Sequence, residues 1–306
     1  MRIPGFYFFP ALVSVFFGLV VAILIMVLDD QIDTFTIIFG IVVGLLVCVW
    51  IYYHLSKRKD LLKRISRKPL KLKDIQFLQD NILFFRNLSE ENKKRFEKDI
   101  QIFLFKTKIT PIDCSIERTD KLLVASSAVI PIFGFDTWNY PMLKEVLLYP
   151  HRFDQNYQTE GMDRDILGMV GQGVLNGKMI LSLPALRASF QNVGSCSNVG
   201  IHEFTHLIDG ADGTTDGLPQ IVMDKQYIIP WLNLIHKEIE RIKKGNSDIN
   251  PYGATNQQEF FAVASEYFFS RPDLLKTRHP ELYSMLSQIF RQDVESLIGP
   301  NLRHLP

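Results

Sequence analysis

The chain has 306 residues, of which 47% are hydrophobic, and its 34 basic residues stand against 33 acidic ones. This length and hydrophobic content suffice to bury a full core, which excludes a disordered chain and predicts two unequal parts. The near-neutral charge gives no reason to expect direct nucleic-acid binding. The three cysteines lie far apart without a C-x-x-C pair, so neither a disulfide framework nor a thiolate zinc site is expected.

Two long apolar runs open the chain, at residues 6–28 and 35–53. Each run is about long enough to cross the ~30 Å hydrocarbon core of a bilayer. Both runs are apolar on every face, unlike the helices of an amphipathic hairpin in a globular protein. The first run is also longer than the apolar core of a cleaved signal peptide, which usually has ~7 to 15 residues. The sequence therefore predicts a transmembrane hairpin over residues 1–56.

Positive charge is concentrated on one side of this hairpin. Nine Lys and Arg residues crowd residues 57–73, whereas the connector at residues 29–33 has none. Because basic loops stay in the cytoplasm, both ends of the hairpin and the rest of the chain are expected there. Residues 57–73 are then a basic linker attracted to the anionic headgroups of the lipid bilayer. These patterns predict a multi-pass protein of the bacterial inner (cytoplasmic) membrane, with a cytoplasmic domain at residues 74–300.

Helical patterns dominate the first part of that domain. Apolar spacing predicts helix over residues 74–104, with a new start at Ser89, because the glutamates that follow this residue suit a first turn. A further helix is predicted over residues 120–129. We expect this helix to end at Pro131, which has no backbone N–H to donate.

Two short apolar runs, at residues 146–150 and 178–183, predict strands. Pro184 ends the second run, and we expect an edge-like strand there, with which an extended substrate could pair. The polar, glycine-bearing residues 155–177 predict a hairpin or loop near the functional site rather than a phosphate cradle. Together with the helices, these strands predict an α+β fold that is mainly helical and has a small mixed sheet.

An H-E-x-x-H motif, His202-Glu203-Phe204-Thr205-His206, lies within an apolar run. Two imidazoles four residues apart lie on one face of a helix, close enough to hold one metal ion. Glu203 lies beside them, where it can act as a base. Catalytic zinc usually keeps three protein ligands and one water, so the motif lacks a third ligand. The sequence predicts a zinc hydrolase whose remaining ligand is acidic or His.

Three carboxylates compete for that third position. Thr255 and Gln258 have the spacing of a capping box, which places Glu259 in the first turn of an apolar helix. A carboxylate on so apolar a face is costly unless it is paired, and a metal ion is a suitable partner. Glu266 returns to about the same face two turns later. Asp209 follows the second histidine by three residues and could ligate the metal or orient a histidine. Motif context favours Glu259 and leaves the other two open.

The sequence around these residues resembles the Mlc titration factor A family of zinc peptidases, also called M90. The resemblance rests on IHEFTHLID at residues 201–209, NPYGATNQQEFFAV at 250–263 and SEYFF at 265–269. It extends over roughly residues 75–295 and leaves out the apolar N-terminal runs. The pattern Y-G-x-T-x-x-x-E-F-F is also similar to the catalytic domain of anthrax lethal factor.

The resemblance implies a zincin-like metallopeptidase domain with a defined division of roles. His202, His206 and Glu259 would be the ligands of Zn²⁺. Glu203 would be the general base for water, and Tyr252 would donate a hydrogen bond to the oxyanion. The implied substrate is a peptide or protein, and the family favours aminopeptidase action.

Two further implications follow from the resemblance. Glu266 would contact a metal ligand without binding the metal itself, or it would have a structural role. The family name also supports a second hypothesis, in which the domain binds a transcriptional regulator and a membrane anchor holds that partner away from DNA. A membrane-embedded protease is disfavoured, because the motif segment is too short and too polar-flanked to span a bilayer.

Overall fold

The computed structural model describes residues 8–27, 34–67, 69–136, 140–150, 168–170, 177–192 and 194–302. The chain divides into two compact units, Met1–Lys68 and Pro69–Pro306. The helices of the first unit are α1 (Phe8–Val27) and α2 (Thr34–Arg67). The helices of the second unit are α3 (Leu72–Asn81), α4 (Leu83–Arg86), α5 (Glu90–Lys106), α6 (Arg118–Ile132), α7 (Leu183–Gln191), α8 (Val199–Asp209), α9 (Ile228–Lys243), α10 (Gln257–Ser270), α11 (Pro272–Arg278), α12 (Pro280–Phe290) and α13 (Val294–Leu302). The strands are β1 (Lys108–Pro111), β2 (Glu145–Tyr149), β3 (Gly168–Val170) and β4 (Lys178–Ser182).

In the first unit, both apolar runs are helical, and α2 continues through the basic residues as far as Arg67. Among the described residues, however, no helix combines the length and the apolar character that a bilayer crossing requires. This finding contradicts the predicted multi-pass membrane location, and it leaves the transmembrane hairpin and the lipid partner unsupported. An apolar run favours helix formation, but a crossing also needs about 20 sufficiently apolar residues within one helix.

Local signals for helix starts are confirmed in the second unit. Ser89 is the N-cap of α5, and its hydroxyl accepts a hydrogen bond from the backbone N–H of Asn92 at 3.3 Å. The helix predicted before Ser89 is interrupted at Ile82, which has an extended backbone between α3 and α4. The helix predicted to end at Pro131 includes this proline in its last turn and ends one residue later, at Ile132. Only the N–H of the proline is lost there, so the last turn still closes.

The strands form a mixed sheet in the order β1-β2-β4-β3. The first three strands of that order run parallel, whereas β3 runs antiparallel to β4, with Met169 opposite Ile180. The predicted strands β2 and β4 are confirmed, but the prediction of an edge at β4 is wrong. Strand β4 pairs on both sides, and β3 is the outer strand on that side of the described sheet. Most of the segment predicted as a hairpin or loop, residues 155–177, lies outside the described residues.

Helix α8, which contains the H-E-x-x-H motif, is held between α6 and α10 in the core of the second unit. Every residue of α6 from Leu122 to Pro131 is buried, as is every residue of α10 from Phe260 to Phe269. Phe204 of α8 is fully buried and stacks edge-on with Phe103, at 5.6 Å between ring centroids. Each such side chain contributes about 1.5 to 3 kcal/mol when it is buried. The apolar packing therefore fixes the position of the motif helix.

Helix α8 closely approaches α6 at Gly200. A Cβ at this position would lie 2.1 Å from Oγ and 2.6 Å from Cβ of Ser127. Since both positions are buried, neither side chain has room to move away. We predict that Gly200→Ala lowers the free energy of unfolding by about 1 to 3 kcal/mol, the usual range for overpacking.

Urea unfolding of the single variants and of the double variant with Ser127→Gly tests this prediction. The glycine at position 127 removes both colliding atoms. The double variant should therefore lose less stability than the sum of the two single losses. Strictly additive losses would contradict the proposed collision.

Candidate metal centre

Two histidines of α8 point toward one place because the helix brings residues four apart onto the same face. Asn198 is the N-cap of this helix, and its side chain accepts a hydrogen bond from the N–H of Ile201 at 3.1 Å. His202 and His206 follow in the next turns, and their Nε2 atoms lie 3.1 Å apart. The side chains are 12% and 13% exposed, so both rings remain accessible from one side.

Glu259 reaches the same place from the first turn of α10. Its predicted position in that turn is confirmed, but the predicted capping role of Thr255 is wrong. The N-cap is Asn256, whose side-chain oxygen accepts from the N–H of Glu259 at 2.9 Å. Either residue type can cap a helix, but Thr255 has a helical backbone after the turn Pro251–Ala254, whereas Asn256 has the extended backbone of an N-cap.

The three side chains have the geometry of a metal site. Oε2 of Glu259 lies 3.1 Å from Nε2 of His202 and 3.5 Å from Nε2 of His206. All three ligand atoms lie within 4.8 Å of one another. Ligands about 2.1 Å from a tetrahedral zinc ion stand roughly 3.4 Å apart. The separations therefore fit the edges of such a tetrahedron.

The local charge also fits a divalent cation. Glu203, Glu259 and Glu266 surround two imidazoles, which must be neutral to act as ligands. Burial works to raise the pKa of Glu259, but the nearby His202 and His206 outweigh it and lower the pKa to about 2. Three carboxylates in so buried a place need a compensating positive charge, and a metal ion held by the three residues would supply it.

Glu266 holds the first histidine from behind. Its Oε1 atom lies 2.6 Å from Nδ1 of His202. Its Oε2 atom accepts from Oγ of Ser197 at 2.7 Å and from the backbone N–H of Asn198 at 2.6 Å. Because a carboxylate accepts and does not donate, the proton of His202 is held on Nδ1 and Nε2 is left for a metal. Glu266 is therefore an orienting group rather than a member of the cluster of ligand atoms.

Glu203 lies next to the two histidines and is almost completely buried, with 4% of its surface exposed. Burial raises its pKa, and the neighbouring Glu259 and Glu266 add to that effect, whereas the two histidines oppose it. A carboxylate with a raised pKa takes up a proton more readily than one in water. Glu203 therefore has the surroundings of a proton acceptor.

Tyr252 faces the cluster from the turn Pro251–Ala254, which precedes α10. Asn250 caps this turn by accepting a hydrogen bond from the N–H of Tyr252 at 3.0 Å. The ring centroid of Tyr252 lies 6.1 Å from that of His202, and 52% of the residue is exposed. Burial of the phenol and the nearby charge of Glu259 raise its pKa. The phenol therefore keeps its proton and can donate a hydrogen bond at the open side of the cluster.

A comparison with known protein families identifies the kind of protein to which this site belongs. The sequence profile described as "Glucose-regulated metallo-peptidase M90" matches residues 54–291. The chain belongs to this family. The matched segment contains α8, the turn with Tyr252 and α10, so it includes both halves of the metal cluster.

Three relatives of this M90 protein match between 49% and 83% of the chain. The uncharacterized protein slr2042 of Synechocystis is 28% identical over 269 residues, which are 83% of this chain and 95% of the relative. Mlc titration factor A of Pectobacterium atrosepticum is 28% identical over 222 residues, 67% of this chain and 81% of the relative. The factor of the same name from Edwardsiella ictaluri is 33% identical over 165 residues, 49% and 60% of the two chains. The resemblance to Mlc titration factor A is therefore confirmed.

Asp209, the third candidate from the sequence, holds the loop after the motif helix in this M90 chain. Its Oδ2 atom accepts from the N–H of Gly217 at 2.8 Å, and burial raises its pKa to about 7. The carbonyl of Gly217 accepts from Nε1 of Trp231 at 2.8 Å. Gly217 has φ +80°, and a Cβ there would lie 2.5 Å from the carbonyl oxygen of Gln257. Asp209 thus fastens the loop against the start of α10.

The remaining histidines separate into different classes. His236 is exposed, and its Nε2 atom lies 3.0 Å from Nε2 of Gln257. His151 and His304 lie outside the described residues. His279, in contrast, is buried between two carboxylates. Its surroundings could not be read from the sequence, because its partners are about 30 and 40 residues away along the chain.

The contact between Glu266 and His202 makes a specific prediction for metal binding in this M90 protein. In Glu266→Gln, the amide oxygen can still accept from Nδ1 of His202. The amide nitrogen would then face the N–H of Asn198, which is a donor like itself. We expect the affinity for Zn²⁺ to fall about 10- to 100-fold, as is usual when such a supporting group is lost.

Competition with a chelator measures this affinity. Glu281→Gln is the control, because Glu281 is an exposed carboxylate whose side chain is 69% accessible and pairs with Lys237. The control should bind Zn²⁺ as tightly as the unchanged protein does. Equal affinity in both variants would show that Glu266 does not orient His202.

Proposed function

We propose that this protein is a zinc-dependent peptidase with a zincin-like catalytic domain. The observation that carries the proposal is the convergence of two imidazole nitrogens and one carboxylate oxygen at tetrahedral spacing, with a buried carboxylate beside them. Membership of a family described as metallo-peptidases supports the same conclusion. In this proposal His202, His206 and Glu259 hold Zn²⁺.

Each residue of the site has a separate task in the proposed reaction. When bound, zinc supplies Lewis acidity, which makes water easier to deprotonate and a peptide carbonyl easier to attack. Glu203 accepts the proton of the attacking water and delivers it to the amine that leaves. Tyr252 donates its phenolic hydrogen to the oxygen that gains negative charge. Glu266 keeps the Nε2 atom of His202 directed at the metal throughout.

An extended peptide is the substrate that suits the surroundings of this site. Strand β3, at the outer side of the sheet, lies next to α8. Its antiparallel pairing with β4 leaves the opposite backbone side of β3 without a partner among the described strands. A peptide can pair with such a strand through main-chain hydrogen bonds while its carbonyl lies at the metal. Preference for the N-terminal residue of the peptide stays a prediction from the family resemblance.

A second candidate function is the capture of a transcriptional regulator. It rests on the name of the relatives, which are called titration factors of Mlc. Capture of a protein partner does not require a general base, so the buried Glu203 favours the peptidase. The two functions can be distinguished because only the peptidase depends on Glu203.

The division of tasks predicts two classes of variants. Glu203→Gln and Tyr252→Phe should keep stoichiometric zinc, because neither side chain is a ligand in the proposal. The first should lower kcat by about 10²- to 10⁴-fold and the second by about 10²- to 10³-fold. His202→Ala, His206→Ala and Glu259→Ala should each lose zinc as well as activity.

Cleavage-site mapping on a peptide library, combined with measurement of the zinc content, tests this division. Cleavage by the unchanged protein that disappears in Glu203→Gln supports the peptidase and also reveals any preference for chain ends. Loss of zinc in Tyr252→Phe would contradict the role proposed for the phenol. Stoichiometric zinc without cleavage of any peptide would favour regulator capture.

A further inference from the structure

A second buried cluster of charged side chains lies beside α10, away from the metal ligands. At its centre is His279, between α11 and α12, with only 2% of its side chain exposed. Its Nδ1 atom lies 3.0 Å from Oε2 of Glu238 on α9. Its Nε2 atom lies 2.7 Å from Oδ1 of Asp248, in the segment between α9 and the turn Pro251–Ala254. The cluster therefore links three parts of the chain that are distant in sequence.

The contacts of His279 define its protonation state. Both ring nitrogens face carboxylate oxygens, which accept hydrogen bonds and cannot donate them when ionised. Both nitrogens must therefore donate, and the ring is a buried imidazolium. Burial works to lower the pKa of His279, but the bonds to Glu238 and Asp248 outweigh it and raise the pKa. Burial also works to raise the pKa of Asp248, but hydrogen bonds from Tyr267, His279 and Arg278 together outweigh it and lower the pKa to about 2.

Asp248 is the member of the cluster with the most partners. Its Oδ2 atom accepts from the hydroxyl of Tyr267 at 2.6 Å and from Nη1 of Arg278. Tyr267 is on α10, directly after Glu266, which orients His202. Asp248 is thus joined to the helix that carries half of the metal cluster.

The position of Asp248 connects this cluster to the site. Asp248 is two residues before Asn250, the cap of the turn, and four residues before Tyr252. The other end of the turn rests on α10, because a Cβ at Gly253 would lie only 3.4 Å from Val263. The segment that carries Tyr252 is therefore attached to α10 on both sides of that residue.

We propose that His279 is a positioning residue, which acts through Asp248 to hold the turn carrying Tyr252 at a fixed distance from Glu259. The phenol itself is half exposed, so only part of its ring is packed, next to His202. Its placement depends on its backbone, and the backbone depends on the salt-bridged Asp248. The catalytic consequence rests on the proposed peptidase function, whereas the mechanical attachment does not.

The test uses the full chain with His279→Gln, alone and combined with Tyr252→Phe. The single variant should keep its zinc and its KM but lose kcat about 10- to 100-fold, since a misplaced group of this kind is costly. In the Tyr252→Phe background, His279→Gln should reduce kcat by less than about threefold, because the group it positions is already missing. A residue with a merely structural role would reduce kcat equally in both backgrounds, and that result would overturn the proposal.

Hydrogen exchange gives a readout that does not depend on activity. The amides of residues 248–255 should exchange roughly tenfold faster in His279→Gln, because a charge-assisted hydrogen bond is lost. Asp120→Asn is the matched control. The side chain of Asp120 is also 2% exposed and pairs at 2.7 Å with Arg187, but this pair joins α6 to α7. The control should lose stability without faster exchange in residues 248–255.

The remaining outcomes are also decisive. Unchanged exchange of residues 248–255 in His279→Gln would overturn the proposal. If His279→Gln does not fold, Tyr267→Phe replaces it, because this change removes only the hydroxyl bound to Asp248 and should produce the same two effects at smaller size. If the unchanged protein cleaves no peptide, the peptidase proposal fails. Hydrogen exchange in His279→Gln and Asp120→Asn still decides whether the cluster holds the turn.

Discussion

One carboxylate joins the two helices on which the site depends. Glu266 of α10 accepts hydrogen bonds at the start of α8, from Ser197 and Asn198, and binds the ring of His202 with its other oxygen. The first set of bonds satisfies donors at the beginning of a buried helix, where a negative charge is also favoured. The second determines which nitrogen of His202 faces Glu259. The same side chain therefore fixes the position of one helix relative to the other and the orientation of the first histidine.

The apolar surroundings make this arrangement rigid and also costly. Helix α10 is buried from Phe260 to Phe269, so its two acidic residues depend on close partners. Glu266 finds them in α8, whereas Glu259 faces two imidazoles that approach each other to 3.1 Å. Unpaired charges in such a place would destabilise the fold by several kcal/mol. A cation held by the three ligands would pair with the buried negative charge of Glu259. Metal binding and folding of the core should therefore reinforce each other.

Support for the open side of the site comes from different elements. The turn with Tyr252 is held by backbone contacts and by the charged cluster around Asp248 and His279, and not by burial of the phenol. The loop after α8 is held by Asp209 and Trp231 through Gly217. The side chains at the open side of the cluster are thus carried by segments whose rigidity comes from polar contacts, while the candidate metal ligands stand on helices held by the core.

The sequence by itself determined what depends on neighbours along the chain. The spacing of His202 and His206 predicts a shared helix face, and the polar residues before the apolar run place Glu259 in a first turn, because helix geometry relates residues three or four apart. Strands β2 and β4 and the resemblance to M90 peptidases are likewise local properties of short segments. Only the tertiary structure decided the rest. Glu266 and Asp209 carry equivalent local signals, and the path of the chain between the helices brings one to His202 and the other to Gly217. The inner position of β4, the ionised state of His279 and the absence of a membrane-spanning helix among the described residues were also beyond local patterns. The first two depend on partners that lie many residues away along the chain. The third depends on the length and the apolar character of a whole helix.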